Sequence, residues 1–465
     1  MSWREPAGPV RMQRIAVVAP QEELRAALVR VADAGTVELD PPAEGSRAAH
    51  GEVGLRLTRL AAAPPMPRLA AGPPDLDELE RAGRADLLAG ESQLEERAAA
   101  AIVRDGVAAL AGWTPAEPLP ALQRRLAEVG AAAVPLARPA GIEPPTMLAD
   151  GAGRSFAPLI DTYATVRYAD VDPTVLAGAA YVVMFGMMFA DAGHGLVLLA
   201  GALLVRSGRV RRLSGLQQVW PFLAGAGLAA TVFGVLYGEF FGPTGVLPVV
   251  WLQPLEEPGT LLLAALGLGA VLLAGAYALG TVNRWREGGW RYALYASSGL
   301  AGAGLFLGLG LAVAGWYLSL AWLALTGGLV AGIGLLLTFV GLLAEAGGGG
   351  AGVAQASIQL FDTVVRLGSN LVSFTRLAAF GLTHAALGFV IWDATTGLWN
   401  GGLAARAAAV VVFLVGNAVA FSLEALVAGV QALRLEYYEL FSRVFSGEGR
   451  PFRPWHVPVV EEVPA

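Results

Sequence analysis

Between residues 173 and 445 the chain is a succession of long apolar segments, and nothing else restricts its fold as strongly. They fall at about 174–189, 191–206, 217–241, 258–282, 290–316, 318–345, 354–397 and 403–445. In hydrocarbon every backbone N–H and C=O must be satisfied internally, so such stretches predict membrane-spanning α-helices. A bilayer core of about 30 Å takes about 20 helical residues. The first two segments are short by that measure. The last two are too long to stand upright and must tilt or run into water. About eight crossings are expected. The composition agrees, at 55% hydrophobic and 15% charged residues.

Charge placement predicts the orientation. The connections after the second and fourth segments carry Arg206, Arg209, Arg211 and Arg212, then Arg284, Arg286 and Arg291. The stretch 242–259 has Glu256 and Glu257 but no arginine. Arg443, Arg450 and Arg453 follow the last segment, and Arg406, at its start, is the exception. The positive-inside bias therefore places both termini in the cytoplasm. The first residues show no signal-peptide pattern, in keeping with a cytoplasmic N-terminus.

Residues 1–172 form a different region, with 18 Arg against 24 Asp and Glu, compared with 14 against 14 in 173–465. Arg14–Val18 reads as a strand, Gln21–Ala34 as a helix stopped by Gly35, and Thr36–Leu39 as a second strand. The pattern returns as strand Val107–Trp113, helix Ala116–Val129 stopped by Gly130, and strand Ala131–Leu136. Two β-α-β halves of this size predict a small ferredoxin-like head. Between them, Arg47–Ala62 and Leu76–Arg104 read as helices joined by a proline-rich turn, a short hairpin arm over about 45–105. The expected division is thus a cytoplasmic head (1–172), a transmembrane domain (173–445) and a cytoplasmic tail (446–465).

Cysteine is absent, which excludes disulfides and thiolate chemistry. Lysine is absent too, since all 32 basic residues are arginine, so there is no Walker A lysine, Schiff base or Ser-Lys dyad. The acidic head argues against nucleic acid. No cofactor or metal is expected.

Within the seventh segment, Gly368-Ser369-Asn370-Leu371-Val372-Ser373-Phe374-Thr375-Arg376-Leu377 sets an arginine in a polar stripe with no acid within one turn. A guanidinium at the bilayer centre costs from about 3 to more than 10 kcal/mol. It cannot escape by deprotonation. Helical spacing puts Ser369, Ser373, Arg376 and Thr383 on one face, with Asp362 fourteen residues before Arg376 and His384 displaced sideways. On the eighth segment Asn417, Glu424 and Gln431 recur every seven residues, with Arg434 one turn on. These groups could instead pair with one another to hold helices together, Glu424 with Arg434 among them. Asp191 and His194, between the first two segments, and Glu239, in Tyr237–Gly242, read as structural.

Taken in order, these motifs resemble the membrane stator subunit of V-type and A-type rotary ATPases, subunit a in eukaryotes and subunit I in bacteria and archaea. They are Tyr168–Thr174, Phe185–Gly195, Tyr237–Gly242, Ser369–Leu387 and Leu423–Glu436, with Gly112-Trp113-Thr114-Pro115 in the head. The most specific is Ser-Asn-x-x-Ser-x-x-Arg-Leu with His384 eight residues beyond Arg376. The resemblance implies that Arg376 faces a rotating proteolipid c-ring and lowers the pKa of each passing carboxylate. It implies a proton pathway through Glu424, His384, Arg434, Asp362, Ser373 and Asn370, with peripheral- and central-stalk subunits as further partners and a bacterial cell membrane as the location. The subunit would not be an enzyme by itself. One departure is the arm, whose roughly sixty residues are too few for a long coiled coil at about 1.5 Å per residue. Two other readings stay open: a stand-alone transporter or channel, and a non-conducting structural or regulatory paralogue. The absence of an evident inverted repeat weighs against the transporter.

Overall fold

The computed structural model of the protein describes residues 9–41, 52–60, 65–138, 142–148, 165–209, 215, 217–444 and 449–460. The chain divides into two compact units, one of residues 1–149 with 449–465 and the other of 150–448.

The first unit is built on an antiparallel sheet. Its strands are β1 (Met12–Pro20), β2 (Glu38–Leu39), β4 (Ile102–Arg104), β5 (Val107–Pro115) and β6 (Ala132–Pro135), in the order β2-β5-β1-β6 with β4 against β5. Helices α1 (Leu24–Ala34) and α5 (Leu119–Ala127) complete the two expected β-α-β halves. Ile15, Val17 and Ala19 of β1 alternate into the core against Leu28, Val31 and Leu126. Gly35 ends α1 in the left-handed conformation at φ +58°, which glycine adopts without a Cβ clash.

The segment expected as a two-helix arm folds differently. It contains α2 (Glu52–Leu60), the short strand β3 (Leu69–Ala70), α3 (Leu76–Arg81), α4 (Ala85–Ala99) and then β4. The predicted helix over Leu76–Arg104 is therefore corrected to two helices and a strand. Asp75 caps α3 by accepting from the N–H groups of Asp77 and Glu78, and Gly83 at φ +67° breaks the helix. Ile102 and Val103 are β-branched and pair with β5 across Asp105-Gly106, both at positive φ, as a tight hairpin turn requires. α4 is fastened to the head by an ion pair of 2.5 Å between Glu91 and Arg25 of α1. Burial pushes the Glu91 carboxyl above its ordinary pKa despite that partner.

The tail 449–460 is an integral part of this unit. Trp455 and Val457 are buried in its core, Arg450 pairs with Glu38 at 2.7 Å, and strand β7 (Val459–Val460) runs parallel to β3.

The second unit is helical: α6 (Thr174–Met188), α7 (Ala192–Arg206), α8 (Trp220–Tyr237), α9 (Pro258–Tyr295), α10 (Leu300–Tyr317), α11 (Ala321–Glu345), α12 (Gly349–Ser373), α13 (Thr375–Trp399) and α14 (Leu403–Leu435). A π-helical turn, Glu436–Phe441, and the single turn α15 (Ser442–Val444) follow. Among the described residues six helices are long and apolar enough to cross a membrane, with α12 and α13 counted as one run. α6 and α7, at 15 residues each, span only about 22 Å. The expected break between the fourth and fifth segments lies later than predicted. The helix kinks at Gly289 and turns at 296–299, so residues 290–295 belong to α9.

Small residues set the packing. A Cβ on Gly308 of α10 would lie 2.3 Å from the backbone nitrogen of Ala331 on α11, and one on Gly327 would lie 2.3 Å from that of Ala312. With no hydrophobic drive between helices in lipid, this close backbone approach supplies the dispersion contact.

Candidate functional site

The site begins where α12 gives way to α13. Phe374, between them, is fully buried, and its ring lies where a Cβ on Gly269 of α9 would be. That anchor fixes the chain two residues before Arg376. The Arg376 side chain is half-buried, and its Nη1 is buried without a hydrogen-bond partner among the described residues. Ser369 and Thr383 are exposed on the same helix run. Ser373 donates to the carbonyl of Ser369 at 3.1 Å and Thr383 to that of Ala379 at 2.9 Å. The hydroxyls are thus satisfied within their own helix, and the stripe around Arg376 is an open face.

His384 points the other way. It is buried and its Nδ1 meets Glu424 Oε2 on α14 in a short contact. The other Glu424 oxygen is buried without a partner. Arg434 is exposed, ten residues further along α14, or about 15 Å. The alternative of a Glu424–Arg434 bridge is therefore corrected: Glu424 pairs with His384.

Around that pair the short helices α6 and α7 bring a second group. Asp191 caps α7, accepting from the N–H groups of His194 (2.9 Å), Phe241 (3.0 Å) and Gly242 (2.8 Å). Gly234 of α8 permits this, since a Cβ there would lie 2.1 Å from the nitrogen of Ala192. His194 is buried, neither ring nitrogen hydrogen-bonded among the described residues and Nδ1 3.9 Å from Asp191 Oδ1, its ring 5.7 Å from that of His384. Glu239 is buried nearby, and the Phe189 ring lies 5.1 Å from that of His384, tilted by 56°. Asp191, His194 and His384 each bring a ligating atom within 4.8 Å of the others. Three backbone N–H groups already occupy Asp191, which leaves it fewer lone pairs to offer a metal.

Two expected pathway residues sit elsewhere. Asp362 is exposed and pairs with Arg366 one turn on, at 2.7 Å. Asn370 belongs to a cluster at the end of α14. With its amide oriented by the network, it donates to Glu439 Oε2 at 3.1 Å and accepts from Arg443 at 3.2 Å. Glu436, in the π-helical turn beside it, is fully buried with both oxygens unpartnered. Sequence reasoning gave Glu436 no role beyond closing the motif Leu423–Glu436, and overlooked Glu439 and Arg366. The usable signal was two acids three residues apart at the end of an apolar helix, the spacing of one helical face.

The motif Tyr168–Thr174 is held by α9. Val171 donates to Asn283 at 3.0 Å, Asn283 donates to the carbonyl of Val444 at 3.4 Å, and the buried Arg284 pairs with Glu287 at 2.5 Å.

Fold and site define a helical, multi-pass membrane protein that carries a His–Glu pair and a half-buried arginine, with a small α/β head as a separate unit. Residues 100–243 match the model of the V-type ATPase 116kDa subunit family. The chain is 29% identical over 357 residues to the A-type ATP synthase subunit I of Aeropyrum pernix, covering 65% of this chain and 50% of that protein. It is 28% identical over 310 residues to the subunit I of Pyrococcus horikoshii (64% and 45%), and 27% identical over 405 residues to that of Archaeoglobus fulgidus (74% and 58%). The chain spans about half the length of the curated relatives it matches. Both kinds of match support the V/A-type ATPase subunit a/I family as the one this chain resembles.

Proposed function

We propose that this chain is the ion-conducting stator subunit of a rotary ATPase membrane sector, working against a ring of proteolipids with both termini in the cytoplasm. The observation that carries the reading is Arg376 itself. Its side chain is half-buried with Nη1 unpartnered, on a helix face where Ser369 and Thr383 are exposed, and the acid of the neighbouring helix, Glu424, is already engaged by His384. A permanently charged group without a carboxylate among the described residues is ready for one brought by another chain.

Each ring carboxylate would cross lipid protonated, lose its proton on meeting Arg376 because the guanidinium favours the anion, and regain one on the far side. Arg376 also bars direct proton passage between the two half-channels, since a fixed positive charge repels the proton. Glu424, His384 and the buried His194, Asp191 and Glu239 would hand protons along one half-channel. Asn370, Glu436 and Glu439, with Ser373, Asp362 and Arg434 at its margin, would line the other. Stalk subunits would hold the chain against the torque through its head.

The native absence of cysteine provides a test. Single cysteines at Ser373 and Thr383, paired with cysteines on the ring helix, should form disulfides in the intact complex, whereas one at Ala385 should not. Cross-linking from Ala385 alone would place the ring on the wrong face.

A further inference from the structure

Arg406 is the one arginine that the charge pattern left unexplained. It stands exposed in the first turn of α14, and its Nε donates to the carbonyl of Trp399 at 3.3 Å. It forms no ion pair among the described residues, and Asp393, the acid on the adjoining half of α13, does not reach it. Beside it a cavity of about 480 Å³ opens between the end of α13 and the start of α14, lined by Trp392, Trp399, Val410, Phe413 and Leu414 together with Thr395, Thr396 and Asn400. Trp392 meets Phe413 edge-to-face at 6.2 Å, which holds one wall in place.

We propose that this end of the α13–α14 hairpin binds one anionic glycerophospholipid, its phosphate on Arg406 and an acyl chain in the groove between Trp392, Trp399 and Phe413. The walls are mainly apolar and the volume suits about one acyl chain. Tryptophan concentrates at the headgroup level of a bilayer, where these two residues at the end of a membrane helix would lie. A guanidinium without an internal counter-ion takes a phosphate through paired N–H donors, and a headgroup of net negative charge brings no competing cation.

The groove also faces the right way. At about 100° per residue, Trp392 and Trp399 lie roughly 150° round α13 from Arg376. A partner seated against Arg376 therefore leaves the groove to the bilayer. Lipid bound there would fasten the ends of the two helices that carry His384 and Glu424.

The test uses the full chain purified in detergent. Native mass spectrometry after titration with phosphatidylglycerol, phosphatidylcholine or inorganic phosphate, alongside the thermal midpoint, reads occupancy directly. One phosphatidylglycerol per chain should be retained, roughly five-fold more tightly than phosphatidylcholine, with a corresponding upward shift of the midpoint. Arg406→Gln should abolish the preference, and Val410→Trp, which fills the groove, should abolish retention with Arg406 intact. Equal retention of both lipids, a preference that survives Arg406→Gln, or a full shift from inorganic phosphate alone would each overturn the site. So would a wild-type chain that retains no lipid, which would leave the groove to another membrane helix.

Discussion

His384 on α13 and Glu424 on α14 meet side chain to side chain across the two helices, and Arg376, about two turns earlier on α13, has no carboxylate partner among the described residues. The pair joins the helices while leaving the arginine's charge uncompensated among the described residues. Removing one member leaves the other buried and unpaired, at a cost of about 3–5 kcal/mol. Glu424→Gln and His384→Ala should therefore each destabilise the purified chain, and the double variant should cost less than the sum of the two. A double-mutant cycle by thermal unfolding checks this. Strict additivity would mean the two groups act independently.

Gly234 sits against the start of α7, where Asp191 collects its three N–H groups. Gly234→Val adds a side chain where even a Cβ meets the Ala192 backbone. It should destabilise by at least about 1–3 kcal/mol, the usual cost of overpacking. It should also lower pumping through displacement of His194. Gly310, which has nothing near its Cβ position, is the control: Gly310→Ala should be neutral in the same melting and pumping measurements.

In the head, Trp455 of the tail is packed in the core, so Trp455→Ala should cost about 3–5 kcal/mol. Limited proteolysis of the intact protein should then cut within 1–149 faster than in wild type. An unchanged digestion pattern would show that the tail adds nothing to the head.

Burial raises the Glu91 carboxyl, so the folded head holds that proton more tightly than the unfolded chain does. This contribution to stability is complete below the unfolded carboxyl's pKa, about 4.3, and is lost as pH rises through the folded value. Glu91→Gln should flatten that part of the pH dependence, read as the thermal midpoint between about pH 4 and about pH 8. An unaltered slope would show that Arg25 fully offsets the burial.

Much of this molecule was legible in its sequence where one residue dictates local geometry. Gly35 ends α1 at positive φ, and Gly130 sits at φ +67° beyond α5. The strands of both β-α-β halves lie within a few residues of their expected bounds. Arg376 was conspicuous because no physical argument puts a guanidinium in an apolar helix cheaply. The misses share a different character. Glu424 lies on the same helix as Arg434 but pairs across to His384, because the relative rotation of two helices is set by packing and not by either helix's own spacing. The tail had no periodicity to read, since Trp455, His456 and Val457 are flanked by Pro454 and Pro458. Asp105-Gly106 carried a hairpin signal that helical composition on its N-terminal side obscured.

The most direct measurement of the central claim is ATP-driven proton pumping by the assembled complex carrying Arg376→Ala or Arg376→Lys. Alanine removes the charge, while lysine keeps it on a compact ammonium without the planar fork. Both variants should assemble with the ring in wild-type amounts and pump at no more than a few per cent of the wild-type rate. Pumping near the wild-type rate in Arg376→Ala would contradict the assignment of Arg376 as the charge that the ring carboxylates meet.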